Sequence, residues 1–255
     1  MASAPRRGPA VRFDRIQPMR AHESVAEQIR RHIALRLVRP GETLPSEREL
    51  AEMFRVGRPT IQQALRLLEA HRLVEPRRGR HGGTFVRGPG QDSETMDGLI
   101  TKLLVHSDEL EELLVYRRVV EPAVTCYAAE RRRKSDLDRM SRAMRGLQDA
   151  TIESDVMRCD TEFHLAIAAA TDNAHLMRCM EQVRFELNDA LSLLPESDRW
   201  HRRIASEHEA IYEAVAARDA GTAEEAATAH AVNSAQGVRA VLAAIRRQRF
   251  NKVGD

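Results

Sequence analysis

Apolar residues recur every three or four positions along most of this chain, and the places where they stop doing so divide it. Val25, Ile29, Ile33 and Leu37 make one stripe that predicts a first helix, closed by Pro40 and Gly41. Ser46 followed by Glu49 forms a capping box, in which each side chain satisfies an amide of the helix start, so a second helix opens there and buries Leu50 and Phe54. After a turn at Val56 and Gly57, Pro59 fits the first turn of a third helix with Ile61, Ala64, Leu65 and Leu68 facing inward. LVEPRR and TFV, joined by GRHGG, then read as two strands of a small ribbon. Beyond them only helical periodicity appears, through to about Arg247: Met96, Leu99, Ile100 and Leu103; Leu110, Leu113 and Leu114; Met140, Met144 and Leu147. Thr222 and Glu225 read as a further capping box in the alanine-rich stretch near the end.

The expected fold is therefore mainly α. A winged helix-turn-helix domain over residues 21–88 precedes an all-α antiparallel bundle of six or seven helices over residues 96–248. The Gly, Pro and polar run RGPGQDSE places a linker at 89–95, residues 1–20 read as a flexible basic arm, and 249–255 as a tail. Charge follows the same division. The first 90 residues carry 18 of the 40 Lys and Arg but 9 of the 38 Asp and Glu, a net +9 that leaves −7 for the remainder. One end suits a polyanion and the other does not. No run approaches the roughly 18 apolar residues of a membrane span, and no apolar segment follows the first arginines, so a cytoplasmic location and no membrane partner are expected. Cys126, Cys159 and Cys179 lie far apart with no CxxC pair, and read as small core residues.

The third helix offers Arg58, Thr60, Gln62 and Gln63 on its outer N-terminal face, where a recognition helix meets base edges and phosphates of double-stranded DNA. Arginine can fork onto guanine and glutamine onto adenine. Gly82 in the ribbon tip would allow close approach to the sugar-phosphate backbone. A charged helix face is usually only a solvated one, so the spacing alone carries limited weight. The sixty residues from IRRHIALRLV to GGTFV, with LPSERELA and RPT inside them, resemble the N-terminal domain of the GntR family of bacterial transcription regulators. The resemblance implies that Arg48 and Arg58 contact operator DNA. Three departures stand out: Gly57 where the family usually has serine, Gln62 where arginine is common, and a wing, GRHGGT, one residue longer than the usual GRGT.

Asp160 and His164 are four residues apart and share one helix face, so they could hold a metal ion from one side. Taken alone, a histidine in a helix is more often a satisfied core or surface residue. Three stretches, EELLVYRRVVEPAVTCYAAER, DTEFHLAIAAATDNAHL and EHEAIYEAVAARDAGTAEEAATAH, are similar in order and spacing to the FadR-type C-terminal effector domain. That resemblance implies metal ligands at Asp160, His164, His208 and His230. Such an N/O set suits a divalent metal ion, zinc or nickel first, with manganese or iron as alternatives. His106, His175 and His201 match no ligand position. The resemblance further implies a small organic acid as effector, with Arg117 facing the cavity; the rival reading of Arg117 is a surface ion pair with Glu121. Arg118 projects about 100° away, and Trp200 reads equally as pocket wall or core.

The expectation is a homodimeric, non-enzymatic regulator, a repressor, that binds a palindromic operator and responds to a carboxylate through a metal-containing pocket. A metal-responsive repressor in which the ion is the signal, a metal-dependent hydrolase and a metal-free acyl-chain pocket are the alternatives.

Overall fold

In the computed structural model of the chain, residues 20–79, 82–87, 96–191, 193 and 198–253 are described. The basic arm and the linker expected at 89–95 lie outside these residues, as do Arg80 and His81 of the wing tip. The N-terminal part consists of α1 (Ala21–Ala34), α2 (Glu47–Phe54), α3 (Arg58–Ala70), β1 (Val74–Arg77) and β2 (Gly83–Val86). Seven helices follow among the described residues: α4 (Met96–Val105), α5 (Ser107–Arg131), α6 (Lys134–Asp149), α7 (Glu153–Ala170), α8 (Ala174–Leu191), α9 (Asp198–Ala217) and α10 (Ala220–Val253). The mainly α class, the winged helix-turn-helix and the helical second half agree with the sequence reading.

Val25, Ile29, Leu50, Ile61, Ala64, Leu65 and Leu68 close one core, capped by Val74 and Val86 of the ribbon. Each Leu or Ile so buried contributes roughly 1.5–3 kcal/mol relative to exposure. Ser46 and Glu49 make the expected capping box. The strands pair antiparallel from Val74 opposite Val86 to Arg77 opposite Gly83, and the Arg77 guanidinium lies 4.3 Å from the Phe85 ring centre. At Gly82 a Cβ would meet the Arg77 carbonyl at 2.5 Å, so the turn itself demands glycine there.

Three local expectations are corrected. The first helix ends at Ala34, not at Pro40, because Arg36 turns left-handed at φ 60°. Leu37 consequently leaves the stripe and borders a cleft of about 580 Å³ with Gly146, Cys159 and Leu165 of the bundle. The last helix is capped by Asp219, whose carboxylate accepts from the Thr222 amide at 3.0 Å and from its hydroxyl. Thr222 is thus inside the helix rather than its cap, consistent with aspartate being the stronger N-cap. That helix also runs to Val253, past the boundary at 248 read from the sequence. Of the cysteines, all free, only Cys159 is fully buried.

In the bundle, α5 packs along α10, α6 along α7 and α9 along α10. Gly146 lets α6 approach α7 so closely that a Cβ there would stand 2.7 Å from Cys159 Sγ. One core surrounds Phe163, Ile167, Met180, Ile211 and Val215; another surrounds Leu103, Leu113, Leu187 and Val238. The two parts of the chain meet through charge. Arg31 pairs with Glu181 of α8 at 3.0 Å and Arg39 with Asp155 of α7 at 2.7 Å, while Arg30 stacks over Phe185. The basic first part and the acidic second part therefore use a little of their opposite charge on each other.

Candidate functional site

Three helices bring the expected ligands to one point inside the bundle. Asp160 and His164 come from adjacent turns of α7, His208 from α9 and His230 from α10, and all four side chains are buried. One ring nitrogen of each histidine lies within 4.8 Å of the other two. Asp160 Oδ1 stands 3.3 Å from His208 Nε2 and 3.9 Å from His164 Nε2. Ligand atoms at about 2.1 Å from one ion are at most about 4.2 Å apart, so the three histidines need only a small contraction to share a cation, and Asp160 stands close to two of them.

Hydrogen bonding points the same way. Nε2 of His164 and of His230 has no hydrogen-bond partner among the described residues, and that of His208 faces only Asp160 Oδ1, although buried polar atoms are nearly always paired. His230 Nδ1 lies 2.8 Å from Glu207 Oε2, and Asn233 donates to the other Glu207 oxygen at 2.8 Å. A carboxylate at Nδ1 holds the proton there and leaves the Nε2 lone pair facing the centre, the arrangement that orients histidine ligands. Phe163 stacks on His208 at 4.1 Å between ring centres and fixes its plane.

Electrostatics prepare the donors. Burial, the largest influence, pushes the Asp160 carboxyl up, but the Arg184 guanidinium and the neighbouring His208 and His164 outweigh it and hold that carboxyl well below the usual range. Burial, reinforced by Arg184, holds His164 well below the ordinary histidine value, and burial lowers His208 against the opposing pull of Asp160. At neutral pH Asp160 is therefore a carboxylate and His164 and His208 are uncharged imidazoles, the protonation state a metal requires of such ligands.

Beside the cluster, Arg117 of α5 is 1% exposed. Its Nη1 donates to Ser234 Oγ at 2.6 Å and its Nε lies 2.9 Å from Glu121 Oε2. The other Glu121 oxygen is 3.9 Å from His164 Nδ1, beyond hydrogen-bond reach, so this carboxylate of α5 lies beside the histidines without bonding to them. The ion pair that the sequence offered as a surface alternative does exist, but it is buried. A cavity of about 10 Å³ lies among Arg117, Asp160, Trp200, Ile204, His230 and Ser234. That is room for about one water, and Trp200 both lines it and packs against the core around Leu187 and Val238. His106 and His175 sit on the exposed surface, apart from this cluster.

Comparison with known proteins gives two matches along the chain. The model of bacterial regulatory proteins of the gntR family matches residues 21–86, and that of the FCD domain matches residues 112–233. HTH-type transcriptional regulator LutR of Bacillus subtilis is 32% identical over 209 residues, covering 77% of this chain and 91% of its own. The chain belongs to the GntR family. HTH-type transcriptional repressor NanR of Cronobacter sakazakii is 30% identical over 213 residues, covering 82% and 81% of the two chains. An Escherichia coli protein described as an L-lactate dehydrogenase operon regulatory protein is 28% identical over 228 residues, covering 84% and 85%. This GntR protein is accordingly a transcription regulator with an effector-binding FCD domain, and not an enzyme; the pairing of domains agrees with the FadR-type resemblance.

Of the residues expected to contact DNA, Arg48, Arg58, Gln62 and Gln63 are exposed and Thr60 is half-buried. Arg48, 70% exposed, reaches Glu52 at 3.4 Å, and Gln62 donates to Glu47 Oε2 at 2.9 Å. Gln62 must leave that carboxylate to reach a base edge. Gly57 caps α3 with no side-chain bond, as its lack of a hydroxyl dictates. Arg184 and Asn188 on α8 and Glu207, Asn233 and Ser234 on α9 and α10 escaped the sequence reading, and Glu121 on α5 entered it only as a surface partner of Arg117. The signal was present for two of them. Arg184 sits in the stripe Met180, Val183, Leu187, Leu191, and Glu121 in the stripe Leu114, Arg117, Val124, Ala128, where a charge on an apolar helix face needs a buried partner.

Proposed function

We propose that this regulator is a homodimeric repressor that binds a palindromic operator, holds a divalent cation on Asp160, His164, His208 and His230, and senses a small carboxylate through that cation and Arg117. The observation that carries the reading is the convergence of three buried imidazoles whose Nε2 atoms have no partner outside the cluster. When bound, the ion would supply a Lewis-acidic centre for an acid's oxygens. Charge balance supports an anionic effector. Arg117 and Arg184 are offset by Glu121 and Asp160, so a divalent cation brings positive charge that the half-buried Glu207 offsets only in part. The name of the relative associated with an L-lactate dehydrogenase operon fits a small hydroxy acid as the class to try first.

The linkage to DNA runs through α7, which carries Asp160 and His164, and through α8, whose Arg184 pairs with Asp160. Asp155, five residues before Asp160, and Glu181, three before Arg184, pair with Arg39 and Arg31 of the DNA-binding part. An acid that draws α7 and α8 together would strain those pairs and alter the spacing of the recognition helices. An exposed apolar stripe on α5, formed by Val115, Val119 and Tyr127, supports a dimer. Arg48, Arg58, Thr60, Gln62, Gln63 and Gly82 form the proposed DNA contacts. A second reading is favoured by the 10 Å³ cavity, too small for an organic acid as it stands: the ion alone is the signal. Operator binding by the metal-loaded protein, measured with and without a panel of carboxylates, separates the two. Release only when acid is added supports the first reading, and full control by the ion supports the second.

A further inference from the structure

Arg184 is 0% exposed and carries its guanidinium into the bundle, yet it does not line the small cavity. Its Nη2 donates to Asp160 Oδ2 and to Asn188 Oδ1, the latter at 3.1 Å. Asn188 Nδ2 in turn donates to Thr161 Oγ1 at 3.3 Å, so the guanidinium is braced from α8 back onto α7 beside Asp160. With Oδ2 taken by Arg184, the other oxygen of Asp160 is the one turned to His208 and His164. We infer that Arg184 is a positioning residue for the metal site: it holds Oδ2 of Asp160 so that Oδ1, and only Oδ1, is presented to the cation.

The physical reasoning is that a carboxylate has two equivalent oxygens and a free rotation, and can chelate an ion with both or tilt away from it. A guanidinium fixed on one oxygen removes that choice, as hydrogen-bonded partners of ligating carboxylates do generally. Asn188 and Thr161 keep Arg184 from following the carboxylate or swinging to the ion's position. The inference rests on the proposed metal site, and it adds the residue that sets the denticity of its single oxygen ligand.

A double-mutant cycle on full-length protein tests it, with Zn2+ as the probe and affinity read by competition against a chromophoric chelator. Arg184→Gln alone is expected to weaken Zn2+ binding by roughly 10–100-fold. In the Asp160→Asn background the same change is expected to cause little further loss, because Arg184 acts through Asp160. Arg184→Lys, which keeps the charge without the planar fork, should fall between Gln and wild type, and it serves as the test variant if Arg184→Gln does not fold. Equal losses in both backgrounds would mean a general structural role and would overturn the inference, as would unchanged affinity in Arg184→Gln. Absence of Zn2+ binding by the wild-type protein would instead remove the metal site itself.

Discussion

The buried pair of Arg117 and Glu121 yields a prediction that separates stability from sensing. Replacing Arg117 by methionine leaves the Glu121 carboxylate, 2% exposed, with no cation at 2.9 Å and the Ser234 hydroxyl without its donor. Removing one partner of such a buried pair costs about 3–5 kcal/mol, whereas replacing both by apolar residues of similar volume is often neutral or stabilising. For a domain of this size each kcal/mol moves Tm by about 2–4 °C. Arg117→Met and Glu121→Leu alone should therefore each lower the melting point by on the order of 10 °C, and the double variant should recover most of that loss. Effector response behaves differently: the double variant should still bind operator but show no carboxylate-induced shift in Tm or in DNA affinity. The assay is calorimetric or fluorescence melting with a carboxylate panel, alongside operator titration. A double variant that keeps its carboxylate shift would refute the role given to Arg117, and a single variant that melts within about 2 °C of wild type would refute the buried pair.

Other consequences can be checked in parallel. Gly82→Ala forces a Cβ against the Arg77 carbonyl and should weaken operator binding while leaving metal content unchanged; equal affinity would show that the wing tolerates the distortion. Arg58→Ala should weaken operator binding and lessen its salt dependence, since a lost phosphate or base contact reduces counterion release. Arg39→Ala breaks the pair with Asp155 and should change stability by less than about 1 kcal/mol but reduce the effector's influence on DNA affinity, read as the ratio of operator affinities with and without acid. His164 and His208 are held below the ordinary value of 6.5, so their unfolded forms take up protons first on acidification. The metal-free protein should keep its stability above about pH 6.5 and lose it as pH falls toward the folded values; equal urea midpoints at about pH 7.5 and about pH 5.5 would contradict this.

Much of this was legible because the residues announce their surroundings. Leu50, Ile61, Leu65 and Leu68 fall on helical faces that the structure buries, and the LPSER and RPT segments carried the family directly. Asp160, His164, His208 and His230 were found through resemblance, since spacing cannot show that α7, α9 and α10 converge. Arg184 was missed although its place among Met180, Val183 and Leu187 marks a charge on an apolar face. Its partner, 24 positions away on another helix, is not readable from periodicity. The end of α1 and the cap of α10 were misread for a local reason. Apolar spacing continued to Leu37 after the backbone had turned at Arg36, and Thr222 masked the stronger cap at Asp219.

The most direct test of the central claim is metal content of the full-length protein purified without chelators, compared with that of a His208→Ala variant. The account predicts close to one divalent ion per chain in the wild type and a large loss in the variant, with operator binding by the DNA-binding domain retained. A wild-type protein free of metal, and still unable to take up Zn2+ when it is supplied, would contradict it.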